Sequence, residues 1–143
     1  MSVFVVDASV ALKWYVPEVH SEDALRLLRR GNEFHVPDLF FAEAGNILWK
    51  KVNRGELTGA VGHRIARALR AVPEEVHATA DLLEGALELA MRHGCTVYDA
   101  LYVALAVAED LHLVTADRRL FQRMAKTPFA RHVRWVEDPS LAA

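Results

Sequence analysis

The chain has 143 residues, 52% of them hydrophobic and 25% charged, and a net charge of −2. That size buries a core without staples, and that balance excludes a disordered or collagen-like chain. The single Cys95 excludes an internal disulfide framework and a multi-cysteine zinc site, and it fits a reducing compartment.

Val3–Val6 is an apolar run that reads as a strand buried on both faces of a parallel sheet, and it leads straight into Asp7. Ser9–Tyr15 reads as a short helix stopped by Pro17. A second helix is predicted from Ser21 as N-cap, with Glu22 and Asp23 in its first turn, Arg29 and Arg30 in its last, and Gly31 just past the end. Phe34–Val36 is a short strand. Pro37 then stands where the first turn of a helix tolerates it, ahead of DLFFAEAGNILWKKV, which ends near Asn53 and Gly55. Thr58 can cap a helix running to Ala71, and Val76 marks a weak strand. Asp81–Arg92 is amphipathic, with Leu82, Leu83, Ala86, Leu87, Ala90 and Met91 as its expected buried stripe and Gly94 closing it. YDALYVALAVAED reads as a central apolar helix, HLVT as a strand, DRRLFQRMA as a short helix and HVRWV as a last strand.

Strand and helix patterns alternate without a linker, repeat or low-complexity tract, so one domain over residues 1–143 is expected. The alternation predicts an α/β fold, a three-layer sandwich around a mostly parallel sheet. Ligands bind such sheets beyond the carboxyl ends of the strands, near the topological switch point. The longest apolar run, ALYVALAVA, is about half of a membrane span. The N-terminus lacks a basic region, and Asp7 interrupts any signal-peptide core, so a cytoplasmic protein without membrane contact is expected. The mild acidity means that a nucleic-acid partner needs a local basic surface or a bound cation.

Four acids stand out. Asp7 and Asp117 each follow a predicted strand, Asp99 opens the central helix, and Glu43 lies one turn into a helix among Phe40, Phe41, Ile47 and Leu48. Each aspartate has a plain alternative as a helix cap or as a partner of a helix dipole. Glu43 resists that explanation, because a carboxylate among apolar neighbours is costly unless paired. Converging carboxylates repel, and a hard divalent cation relieves that repulsion; all-oxygen ligation suits Mg²⁺ or Mn²⁺ rather than zinc. Ser9 and Thr115 add hydroxyls beside Asp7 and Asp117, and Asn46 lies three residues from Glu43 on nearly the same helix face. Acid clusters with one or two such ions support phosphodiester cleavage, with paired ions about 4 Å apart.

VVDASV, AEAGNILWK, VYDALYVALA and LVTADRRLF occur in this order, and with them the chain resembles the PIN-domain family, in particular its VapC-type toxin ribonucleases. The resemblance covers nearly the whole chain. It implies a five-stranded sheet and an endoribonuclease dependent on one or two Mg²⁺ or Mn²⁺ ions. Asp7, Glu43, Asp99 and Asp117 would be the metal-binding catalytic acids, supported by Ser9, Asn46 and Thr115. It further implies an RNA substrate, a homodimer and a cognate antitoxin protein. A stand-alone PIN-type RNA-processing nuclease is the alternative within this class.

Of the three basic clusters, the one after Asp117 is the best placed for RNA phosphates, with Arg118 and Arg119 as its leading residues. Arg64, Arg67 and Arg70, like Arg26, Arg29 and Arg30, read as solvated faces. The seven histidines are scattered, with no pair at metal-ligand spacing. Trp14 and Tyr15 are candidates for a dimer or partner surface. A phosphoacceptor receiver would want paired early acids and a lysine after the last strand, whereas Asp7 stands alone and RWVED has no lysine. A non-catalytic RNA-binding scaffold remains a further alternative.

Overall fold

The computed structural model describes residues 2–28 and 31–142. Its elements alternate as expected. Strands β1 (Val3–Val6), β2 (Glu33–Pro37), β3 (Glu75–His77), β4 (His112–Thr115) and β5 (Val133–Trp135) form one sheet in the order β3-β2-β1-β4-β5. Every pairing is parallel. The helices are α1 (Ala8–Leu12), α2 (Ser21–Leu25), α3 (Leu39–Asn53), α4 (Gly59–Arg70), α5 (Thr79–His93), α6 (Val97–Ala108) and α7 (Arg118–Ala125), with short 3₁₀ turns at Arg26–Leu28, Ala130–His132 and Pro139–Ala142.

Helices cover both faces of the sheet, as its apolar strands require. Phe4 and Val6 of β1 pack with α1, α3 and α4, including Leu12, Phe40, Leu48 and Leu69. Val5 points the other way, into Leu82, Ala86, Leu101, Leu105 and Met124 of α5, α6 and α7. The period-2 alternation of one strand thus feeds two cores, which makes the three-layer sandwich. The chain leaves β1 toward β2 on one side and returns to β4 on the other. The switch point therefore lies between β1 and β4, and its carboxyl edge is where Asp7 and Asp117 emerge.

Several local expectations change. The first helix spans Ala8–Leu12 rather than Ser9–Tyr15: Asp7 caps it one residue earlier, and it ends at Leu12, well before Pro17. Ser21 does not cap α2; its hydroxyl accepts from Glu18 N and donates to Val16 O, closing the preceding loop, and His20 occupies the cap position in a left-handed conformation. Arg29 and Arg30 lie outside the described residues. Pro37 ends β2, opposite His77, instead of starting α3. Trp14 belongs to the core: its ring packs 5.0 Å from Phe34 and its Nε1 donates to Ala24 O, so only Tyr15 of that pair is exposed.

The largest change concerns α5. Its buried side is Leu82, Ala86 and Leu89, while Leu83, Leu87 and Met91 are 52%, 45% and 67% exposed. The sequence offers two adjacent apolar rows, each repeating every four residues and offset by one, and only packing against α6 decides which one is covered. Thr58 caps α4, accepting from Val61 N as expected. Gly94 terminates α5 at φ +73°, a conformation that disfavours any side chain. A Cβ there would also stand 2.7 Å from the Arg123 guanidinium.

Candidate active site

The four acids come from four segments and line one cavity of about 270 Å³, together with Ser9, Asn46, Ile47 and Tyr102. Asp7, Glu43 and Asp99 are half-buried and Asp117 is exposed at the rim. The cap and site readings of the aspartates turn out to be compatible. Asp7 Oδ1 accepts from Val10 N at 2.9 Å and from Ser9 Oγ at 2.8 Å. Asp117 Oδ1 accepts from Arg119 N at 3.0 Å and Leu120 N at 3.2 Å, capping α7. Each cap uses Oδ1, so among the described residues each Oδ2 is left without a protein donor.

Thr115 is fully buried at the end of β4, and its Oγ1 accepts from Asp117 N at 3.0 Å, fixing the turn that presents Asp117. Thr96 Oγ1 accepts from Asp99 N at 3.1 Å, so the cap of α6 sets the position of Asp99. Asn46 lies exposed on the cavity wall, one turn beyond Glu43.

Tyr102 is the site residue that sequence reasoning missed. Its hydroxyl donates to Glu43 Oε1 at 2.6 Å across α6 and α3, from an almost fully buried ring. The signal was present: Tyr102 lies three residues after Asp99, on the same helix face. This bond explains how Glu43 tolerates its apolar neighbours.

Electrostatics agree with a site poised for positive charge. Burial, above all, pushes the carboxyls of Asp7, Glu43 and Asp99 above the ordinary range. Mutual repulsion adds to it: Asp99 and Asp117 act on Asp7, Asp7 and Asp99 on Glu43, and Asp117 on Asp99. The Ser9 and Tyr102 hydroxyls and the Val10 amide work against that rise. The Tyr102 phenol is itself driven well above its usual value by burial and by the adjacent Glu43 carboxylate. No ion pair joins any of the four acids to a lysine or arginine among the described residues.

The candidate RNA contacts separate. Arg118 lies over the Trp135 ring, 4.7 Å from its centroid, which holds its guanidinium against β5. Arg119 faces a second cavity, of about 490 Å³, with Arg92, His93, Gln122, Arg123 and Lys126 and no carboxylate on its wall. Arg123, on the wall of this second cavity, donates to the carbonyls of His93 and Gly94, and its charge works against the rise of the Asp99 carboxyl.

Comparison with known proteins gives this arrangement its class. The PIN domain family model matches residues 4–127, and the chain belongs to the PIN-domain family. Within that family it is of the VapC type. It is 42% identical over 123 residues to a Pyrobaculum aerophilum protein named Ribonuclease VapC3, covering 83% of this chain and 92% of the relative. It is 35% identical over 118 residues to the VapC ribonuclease Mb0985 of Mycobacterium bovis, covering 82% and 88%. The fold is similar to the crystal structure of PAE2754 from Pyrobaculum aerophilum, with TM-score 0.70 and 29% identity over 95% of this chain and 85% of that one. It is also similar in fold to VapBC2 from Rickettsia felis, with TM-score 0.64 and 14% identity over 93% and 98%. Family membership removes the receiver-type alternative. No helix among the described residues is long and apolar enough to cross a membrane.

Proposed function

We propose that this chain is a ribonuclease that hydrolyses RNA phosphodiester bonds as the toxin of a toxin–antitoxin pair, with Asp7, Glu43, Asp99 and Asp117 as its catalytic acids. One observation carries the reading: four carboxylates line one cavity without a basic partner among the described residues, in a chain 42% identical to a named ribonuclease. The donor set fits a hard divalent cation, Mg²⁺ or Mn²⁺, in one or two copies. Among the described residues no three of these acids bring carboxylate oxygens within 4.8 Å of one another, so a cation held here would keep part of its water shell. Such a cation, when bound, supplies the positive charge that an anionic RNA needs here and makes water a stronger acid.

The protein's own groups do the rest. Ser9 and the Val10 amide fix Asp7, Thr115 fixes the turn before Asp117, and Tyr102 aims Glu43 and favours its ionised form against the effect of burial. This fixed array orders the cleft before substrate arrives, so little reorganisation is needed during reaction. Arg119 and its basic neighbours receive the RNA backbone beside the cleft, and Arg118 contributes less because Trp135 engages it.

The test is cleavage of labelled RNAs with Mg²⁺, Mn²⁺ or EDTA, beside Asp99→Asn. Metal-dependent cleavage lost in the variant supports the reading; cleavage that persists in EDTA or in Asp99→Asn overturns it. One relative, at 32% identity, is named Exonuclease VapC9. A circular RNA separates the two modes, because an endonuclease opens it and an exonuclease cannot. The toxin role is tested by growth arrest on expression and its relief by a neighbouring antitoxin gene. A homodimer is part of the same reading, and light scattering that shows monomer throughout would remove it. A stand-alone RNA-processing nuclease is the reading left if expression is harmless.

A further inference from the structure

Outside the cleft, the far edge of the sheet gathers another set of metal-ligating groups. The parallel register of β2 and β3 places His35 opposite Glu75 and Pro37 opposite His77. Side chains alternate along a strand, so His35, Glu75 and His77 project from one face. It is the face of α6, because His35 also pairs with Val5 of the α5–α6 core. His35 Nδ1 and His77 Nε2 are 3.1 Å apart. Glu75 Oε2 is 3.5 Å from His35 Nε2 and 4.0 Å from His77 Nε2. One ligand atom from each of the three residues lies within 4.8 Å of the others. The two imidazoles are only 14% and 17% exposed.

Glu109, at the end of α6, approaches the other side of the same imidazole: its Oε1 is 3.6 Å from His77 Nδ1. A carboxylate there favours the proton on Nδ1 and leaves the Nε2 lone pair turned toward His35 and Glu75, the usual support of a metal-binding histidine. Metal–nitrogen and metal–oxygen bonds of about 2.0–2.2 Å place neighbouring ligand atoms of a tetrahedron roughly 3.3–3.5 Å apart, so three ligand atoms already within 4.8 Å of one another need only small side-chain shifts to close on an ion. A second such group, His20, Asp23 and Glu137, is weaker, since Asp23 already accepts from Arg26 and Glu137 from Trp135.

We propose that His35, Glu75 and His77 bind a zinc-class transition-metal ion, with Glu109 positioning His77, at a site separate from the cleft acids. Two imidazoles and one carboxylate suit Zn²⁺ or Co²⁺ and not Mg²⁺. The ion ties the three-residue edge strand β3 to β2, and it works independently of the nuclease reading.

The test uses the full chain, stripped with chelator and titrated with Zn²⁺ in excess Mg²⁺ to saturate the cleft. Equilibrium dialysis should find one zinc per chain, Co²⁺ should give a tetrahedral absorption band, and Zn²⁺ should raise the melting temperature. His35→Gln and His77→Gln should lose the zinc and the thermal response, and Glu109→Gln should weaken binding by about 10–100-fold. Asp99→Asn should bind zinc as the wild type does. If the histidine variants fail to fold, Glu75→Gln, altered at an exposed side chain, must lose the zinc instead. Absence of bound zinc in the wild type, zinc binding unchanged by Glu75→Gln, or zinc lost in Asp99→Asn overturns the proposal.

Discussion

Replacing Tyr102 by Phe removes one hydrogen bond and nothing of comparable volume. The 2.6 Å bond to Glu43 ends on a carboxylate, so it belongs to the charge-assisted class, worth about 1.5–3 kcal/mol. Glu43 is half-buried and borders the cavity, so water replaces part of the lost bond, and the lower end, about 1.5 kcal/mol, is expected. The sign of the pH dependence follows from the charge. Tyr102 lowers the Glu43 carboxyl against a rise caused mainly by burial, so its loss lets that carboxyl rise further. The stability cost is therefore full where Glu43 is ionised and shrinks as the pH falls through its titration. The acid limb of the pH–rate profile should move to higher pH, and the Mg²⁺ concentration for half-maximal cleavage should rise by about 10–100-fold, as for other groups that orient a metal-binding residue. Guanidinium unfolding at two pH values, with cleavage assayed across pH and across Mg²⁺ concentrations, measures all three effects. An unmoved acid limb together with an unchanged Mg²⁺ midpoint would refute the reasoning, whatever happened to stability.

Three other outcomes are expected. In EDTA, stability should fall as the pH rises above the ordinary carboxylate range, because the folded state with raised Asp7, Glu43 and Asp99 carboxyls holds more protons than the unfolded chain there; urea midpoints that rise over that interval would contradict this, and Mg²⁺ should flatten the fall. Arg119→Ala should weaken RNA binding and reduce the slope of log K against log salt by about 0.7, the share of one single-strand phosphate contact, while Arg118→Ala should do less because Trp135 already holds that side chain. Phe40→Ala, at a fully buried ring of the α3 core, should cost about 3–5 kcal/mol in denaturant unfolding and leave the Mg²⁺ midpoint of the remaining folded enzyme near the wild-type value.

The sequence by itself determined the order of elements and the identity of the acids. Short apolar runs such as Val3–Val6 read as strands covered on both faces, the longer run ALYVALAVA reads as a helix, and their alternation leaves a parallel sheet whose carboxyl edge carries Asp7 and Asp117. Local chemistry was equally legible at Thr58, Gly94 and the C-terminal end of α3, where a cap or a positive φ acts within one turn. What the sequence left open is everything set by the rotation of one element against another. Leu83, Leu87 and Met91 have the same apolar character as the residues beside them, and only α6 decides that they stay outside. Trp14 reads as a surface aromatic until Ala24 O and Phe34 close on it. Tyr102 joins Glu43 across 59 positions, and His35 meets His77 across 42, separations at which no periodicity carries information. Those contacts exist because the strand order places β1 and β4 at the switch point and β3 at the edge. Burial within that arrangement, not residue type, turns separate carboxylates and imidazoles into sites.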